Sequence, residues 1–118
     1  MTDSRVPPQE WLASRAEVFK ALGHPTRLLI VERLEKQPHC VCELTELVGA
    51  DASTVSKHLS VLRTAGLVHS TKKGTTVYYH LACQCLSTML EAVQSILERR
   101  AREQNLALER SPKSQNTL

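Results

Sequence analysis

Long apolar runs are missing from this 118-residue chain; none reaches the roughly 18 residues that a membrane-spanning helix needs. The opening MTDSRVPPQE also lacks the apolar segment of a secretory leader. A cytoplasmic location with no membrane contact is therefore expected. Aromatic residues are scarce, at 3%, so an isolated monomer has material for only a modest core, which favours burial between subunits. There is no internal repeat, no glycine motif of the phosphate-binding kind and no sign of a second domain. The formal charge of +3 permits a polyanionic partner without requiring one. At 118 residues and 42% hydrophobic, the chain suits one small folded domain rather than two.

What is present is concentrated in residues 41–67, VCELTELVGADASTVSKHLSVLRTAGL. One apolar-periodic segment ends near Val48, Gly49, Ala50 and Asp51 interrupt it, and a second runs to Gly66. Two short helices joined by a tight turn follow from this pattern, the helix-turn-helix arrangement. In the second helix Val55, Leu59 and Leu62 share one face. Ser53, Thr54, Ser56, Lys57, His58, Ser60 and Arg63 supply hydroxyls, charges and an imidazole that can meet phosphates or base edges in a major groove. Asp51 is placed to cap that helix.

The flanks extend the pattern. Residues 1–8 read as a flexible arm. Trp11, Arg15, Val18, Phe19 and Leu22 outline a helix that Gly23 stops, and Pro25 opens another over 26–36. After the central motif the period changes to two. Residues 67–72 and 75–81 are expected to form strands around a Lys73-Gly74 turn, with Lys72 and Lys73 near the tip. A long helix is expected from Cys83, striped by Leu86, Leu90, Val93 and Leu97. Residues 9–102 form the predicted domain, and 103–118 a polar, disordered tail. The fold class is mainly α with a β-hairpin, a winged helix-turn-helix. Paired copies of such a fold suit two-fold DNA half-sites.

Four cysteines stand in two Cys-x-Cys pairs, Cys40/Cys42 and Cys83/Cys85. In a reducing compartment structural disulfides are not expected, and soft-metal or redox chemistry is. Residues two apart on an ideal helix point about 200° apart, but both pairs sit at helix starts, where they can converge. His39 is a further candidate donor beside Cys40.

Three stretches together resemble the ArsR/SmtB family of arsenic- and metal-responsive winged helix-turn-helix repressors: FKALGHPTRLLIVERL (19–34), DASTVSKHLSVLRTAGLV (51–68) and KKGTTVYYHL (72–81). The resemblance covers about residues 17–100. It implies a homodimer built on the first and last helices that binds double-stranded operator DNA and leaves it when an inducer binds. CVCEL (40–44) resembles the family's soft-metal box, with Cys40 and Cys42 as its two central thiols. The arsenic-sensing type has a third cysteine one turn later, where this chain has Thr45. The cadmium/lead type adds cysteines from the arm, which has none here. Cys83 and Cys85 match the first ligands of a last-helix zinc site whose later pair falls on Ile96 and Arg99, side chains unsuited to that role. A sulfide- or redox-sensing type bridges such cysteines instead.

The sequence thus predicts a non-enzymatic repressor with no organic cofactor. Its metal-ligating candidates are Cys40, Cys42, Cys83 and Cys85. Arsenite or antimonite leads as inducer, followed by Cd, Pb, Zn or Cu(I), with dithiol oxidation or persulfide sensing as the alternative.

Overall fold

The computed structural model describes residues 8–110, with side chains to residue 106. Residues 1–7 of the expected arm and 111–118 of the expected tail lie outside the described residues. The elements are α1 (Pro8–Leu22), α2 (Pro25–Leu34), β1 (His39–Cys40), α3 (Val41–Val48), α4 (Ala52–Thr64), β2 (Val68–Lys73), β3 (Thr76–Leu81) and α5 (Cys85–Arg110). Among the described residues they fall into two compact units, one ending at Gln84 and one beginning at Cys85.

In the first unit the helices pack on one apolar centre. Ile30, Val31 and Leu34 of α2, Leu44 of α3 and Val55, Leu59 and Leu62 of α4 are all buried. The α4 residues are the ones whose spacing predicts a common face. Each such side chain contributes roughly 1.5–3 kcal/mol by leaving water. Leu67, Val68 and Leu81 continue the same core into the sheet.

The end of α4 shows how sequence sets direction. Gly66 adopts φ 82°, a left-handed conformation that costs glycine little. Its N–H donates to the Arg63 carbonyl, and the Leu67 N–H reaches back to the Leu62 carbonyl at 2.9 Å. This double closure is a Schellman motif, and it turns the chain from helix directly into β2.

The sheet is antiparallel in the order β1-β3-β2. Lys73 pairs with Thr76 across a Gly74-Thr75 turn, one residue later than the sequence pattern places it. Gly74 carries φ 64° and no other residue type has positive φ among the described residues, as expected where glycine opens a two-residue type II′ hairpin. The sequence predicts two strands, whereas β1 adds a third by pairing His39 with Tyr79 and Cys40 with Tyr78. Two residues are too few to show any alternation.

Among the described residues the second unit is a single helix of 26 residues. It starts at Cys85 rather than Cys83 and continues to Arg110, so residues 103–110 are helical where a disordered tail is expected. Its composition explains the difference. AREQNLALER is rich in strong helix formers, and Arg99 pairs with Glu103 at 3.8 Å one turn on.

Candidate nucleic-acid interface and cysteine pairs

Asp51 fixes the start of α4. Its Oδ1 accepts the Thr54 N–H at 2.8 Å and the Ser53 hydroxyl at 3.0 Å. The Thr54 N–H bond, then the Thr54 and Ser53 side chains, hold the Asp51 carboxyl below its ordinary pKa. The predicted cap is thus present, and it also orients Ser53, the first polar residue of the outer face.

At about 100° per residue, Ser53, Ser56, Lys57, Ser60 and Thr64 cluster on the side of α4 opposite Val55, Leu59 and Leu62. All five are exposed. Arg63, also exposed, lies on one flank, and half-buried Thr54 on the other. In the wing Lys72 and Lys73 are exposed beside the turn, with the Lys73 Nζ 5.9 Å from the Tyr78 ring centroid. The geometry therefore offers a helix face of hydroxyls and one ammonium, and a separate basic hairpin tip.

His58 is placed differently from its neighbours. It is half-buried and turned toward the α1–α2 corner, its ring 4.6 Å from that of His24. The Arg27 Nη1 donates to its Nδ1 at 3.3 Å. Burial, then the charges of His24 and Arg27, push the His58 pKa below its ordinary value. Arg27 is a residue the sequence pattern does not single out. An arginine in the first turn of a helix, outside any charge run, gives no signal until the chain is folded. An open cavity of about 420 Å³ lies beside it, lined in part by Lys20, Val61 and Thr64.

The first cysteine pair flanks a strand-to-helix junction. Cys40 is the N-cap of α3 in extended conformation, φ −84° and ψ 167°, and Cys42 lies in the first turn. Because Cys40 is outside the helix, the 200° divergence of an ideal helix does not apply to this pair. Both are free thiols, Cys40 half-buried and Cys42 exposed. Glu43 stabilises the junction, its Oε1 accepting the Cys40 N–H at 3.1 Å and lying 3.2 Å from His39 Nδ1. Those two contacts, the backbone bond first, lower the Glu43 pKa. The Nε2 of His39 and the Oγ1 of Thr45 are buried without a partner.

Cys83 and Cys85 differ from the expectation of four thiols: they are disulfide-bonded. The compartment argument concerns where disulfides persist, not which sulfurs the fold lets meet. A disulfide offers no thiolate to a soft ion until it is reduced. Among the described residues no group of three or more His, Cys, Asp or Glu side chains is arranged to hold a metal. Cys40 and Cys42 thus supply two sulfurs, one short of the three that trivalent arsenic takes.

The chain has clear relatives. The profile described as "Bacterial regulatory protein, arsR family" matches residues 24–70. An uncharacterized HTH-type transcriptional regulator of Methanocaldococcus jannaschii is 35% identical over 69% of this chain and 92% of its own length. The HTH-type transcriptional repressor SmtB of Mycobacterium tuberculosis is 38% identical over 74% of this chain, which spans 65% of that protein. Among solved structures, M. tuberculosis Rv0081 superposes with a TM-score of 0.74 at 33% identity, covering 84% of this chain and 98% of that one.

Proposed function

Because the chain belongs to the arsR family of bacterial regulatory proteins, whose general activity is DNA binding in the control of transcription, we propose that it is a homodimeric repressor released from its operator by a thiophilic inducer. The observation that carries the DNA-binding part is the capped helix α4, with Ser53, Ser56, Lys57 and Ser60 exposed on one face. Hydroxyls and an ammonium on a helix that fits the major groove read base edges and anchor phosphates. Thr54 and Arg63 border that face, and Lys72 and Lys73 in the wing add backbone contacts. His58 serves the interface from behind, through the position of the helix. Apolar residues left exposed on α1 (Leu12, Phe19) and on α5 (Val93, Ile96, Leu97) are the surfaces through which two copies pair.

Inducer capture begins at Cys40 and Cys42, the two free thiols. Trivalent arsenic or antimony is the leading inducer, with a small exogenous donor completing its shell. Cd, Pb, Zn and Cu(I) are further soft candidates. Drawing the two sulfurs together acts on the N-cap of α3, the helix that packs on α4, so ligand binding there is coupled to the DNA-reading helix. The disulfide at Cys83 and Cys85 supports a second reading, in which oxidation or persulfide rather than a metal sets the DNA-bound state.

Anisotropy with a DNA duplex selected by the protein itself separates the two. Release by arsenite or a soft metal under reductant, lost in Cys40→Ser/Cys42→Ser, supports metal sensing at the first pair. Release only by polysulfide, reversed by reductant and lost in Cys83→Ser/Cys85→Ser, moves the function to the second pair. Release by arsenite undiminished in the Cys40/Cys42 double variant sinks the proposed capture site.

A further inference from the structure

The corner where α1 meets α2 is tied to the back of the recognition helix by one side chain. The Nε of Arg27 donates to the Ala21 carbonyl, its Nη2 to the Lys20 carbonyl at 3.4 Å, and its Nη1 to His58 Nδ1 at 3.3 Å. Both carbonyls lie in the last turn of α1, where the helix supplies no i+4 amide, and that of Lys20 also accepts the Gly23 N–H at 3.2 Å. One guanidinium therefore fastens the C-terminus of α1 to α4, from a position in α2.

The chemistry of this contact settles a proton. Guanidinium only donates hydrogen bonds, so His58 Nδ1 must present its lone pair, and the ring is the neutral tautomer with its proton on Nε2. The neighbouring His24 is held under the same condition. Its Nδ1 accepts the Thr26 N–H at 3.1 Å as the N-cap of α2, and a backbone amide likewise only donates. Two imidazoles 4.6 Å apart thus both use Nδ1 as an acceptor, and that of His58 faces a permanent cation.

We propose that Arg27 is a positioning residue for the recognition helix, and that protons compete with it for the Nδ1 lone pair of His58, so that DNA affinity weakens on acidification. When Nδ1 takes a proton it becomes a donor facing a donor, and an imidazolium stands beside a guanidinium. The contact opens and α4 loses its tether to the α1–α2 corner. Burial, then His24 at the start of α2 and Arg27 within it, lower the His58 pKa, and α1 brings two further charged residues, Glu17 and Lys20, to the cavity beside Arg27. Glu17, the carboxylate lining that cavity, is not among the groups that act on the His58 pKa, which is lowered. The direction is diagnostic, because extra positive charge on a DNA-binding protein otherwise tightens its hold on phosphates.

The proposal rests on α4 being the DNA-reading helix, and the experiment separates the two ideas. The full-length chain binds a labelled duplex that it has itself selected from a random library, at constant ionic strength, at pH values of about 7.5 and 5.5 on either side of the ordinary imidazole pKa. From the higher to the lower pH the wild type loses roughly three- to tenfold in affinity relative to His58→Gln, whose carbonyl oxygen still accepts from Arg27 but does not titrate. Arg27→Lys keeps the charge but lacks the planar fork, so it binds more weakly at the higher pH and shows little of the wild-type loss. Parallel pH profiles for wild type and His58→Gln overturn the proposal, as does wild-type behaviour of Arg27→Lys. Lys57→Ala binds weakly at both pH values if α4 reads DNA; wild-type affinity in that variant sinks the DNA-reading assignment alone. The tether is then judged without DNA, by ¹⁵N NMR of the imidazoles. An Nε2–H tautomer for His58 at neutral pH, displaced in Arg27→Lys, supports it, and an Nδ1–H tautomer overturns it.

Discussion

Asp51 shows how much one side chain can set. Its carboxylate closes the first turn of α4 and holds the Ser53 hydroxyl, so fold and interface share a single contact. The pKa is lowered by those bonds. A carboxyl whose folded pKa is depressed contributes stability that is complete above its unfolded value of about 3.9 and is lost as pH falls through the folded value. Asp51→Asn retains an oxygen that accepts from Thr54. It is expected to melt close to wild type at neutral pH while showing less loss of stability in acid. Asp51→Ala should melt several degrees lower at neutral pH. Thermal melts by circular dichroism across the pH range check both, and an unchanged melting point in Asp51→Ala would remove the cap from the account. For Lys57 the readout is binding rather than folding. Lys57→Ala should reduce the slope of log affinity against log salt by about one, because one fewer counterion is released.

At the scale of elements, the boundaries legible in the sequence were those written in local chemistry. Asp51 as cap, Gly66 as stop and Pro25 at a helix start each act within a few residues, and each was found where its side chain or backbone requires. β1 was not legible, because a two-residue strand exists only through its partners Tyr79 and Tyr78. The end of α5 reads as disorder by charge and polarity, whereas AREQNLALER has the propensity of a helix and its Glu103 pairs with Arg99 one turn back. Among the site residues, exposure at Ser53, Ser56, Lys57 and Ser60 followed from periodicity, but the inward turn of His58 did not. That turn depends on Arg27, 31 residues away in the chain. The packing of α4 carries its own prediction. Leu59 is 1% exposed beneath the helix, so Leu59→Ala should destabilise the protein by about 2–5 kcal/mol in urea unfolding. A loss under about 1 kcal/mol would mean that α4 is not anchored by this contact.

For the whole molecule the question is what covers the apolar surface that one copy leaves in water. On α5, Val93 is 47% exposed, Ile96 64% and Leu97 41%. Positions 93, 96 and 97 are spaced as one helical face, so this is a stripe rather than scattered residues. On α1, Leu12 and Phe19 lie seven residues apart and are exposed by more than half. Neither helix has a reason to keep such faces in solvent, and a pseudo-palindromic operator requires two recognition helices held at a fixed separation. The proposed dimer answers both requirements. Ile96→Glu with Leu97→Glu places two carboxylates in that stripe while retaining helix formers. The double variant should sediment as a folded monomer with nearly unchanged helical circular dichroism. Its affinity for the full duplex should fall by at least about 10²-fold, because the second half-site no longer binds at high effective concentration. Binding to an isolated half-site should change little. If the variant still sediments as a dimer, the stripe is not the interface. If it is monomeric yet binds the full duplex normally, each copy reads DNA alone and the two-fold operator must be abandoned.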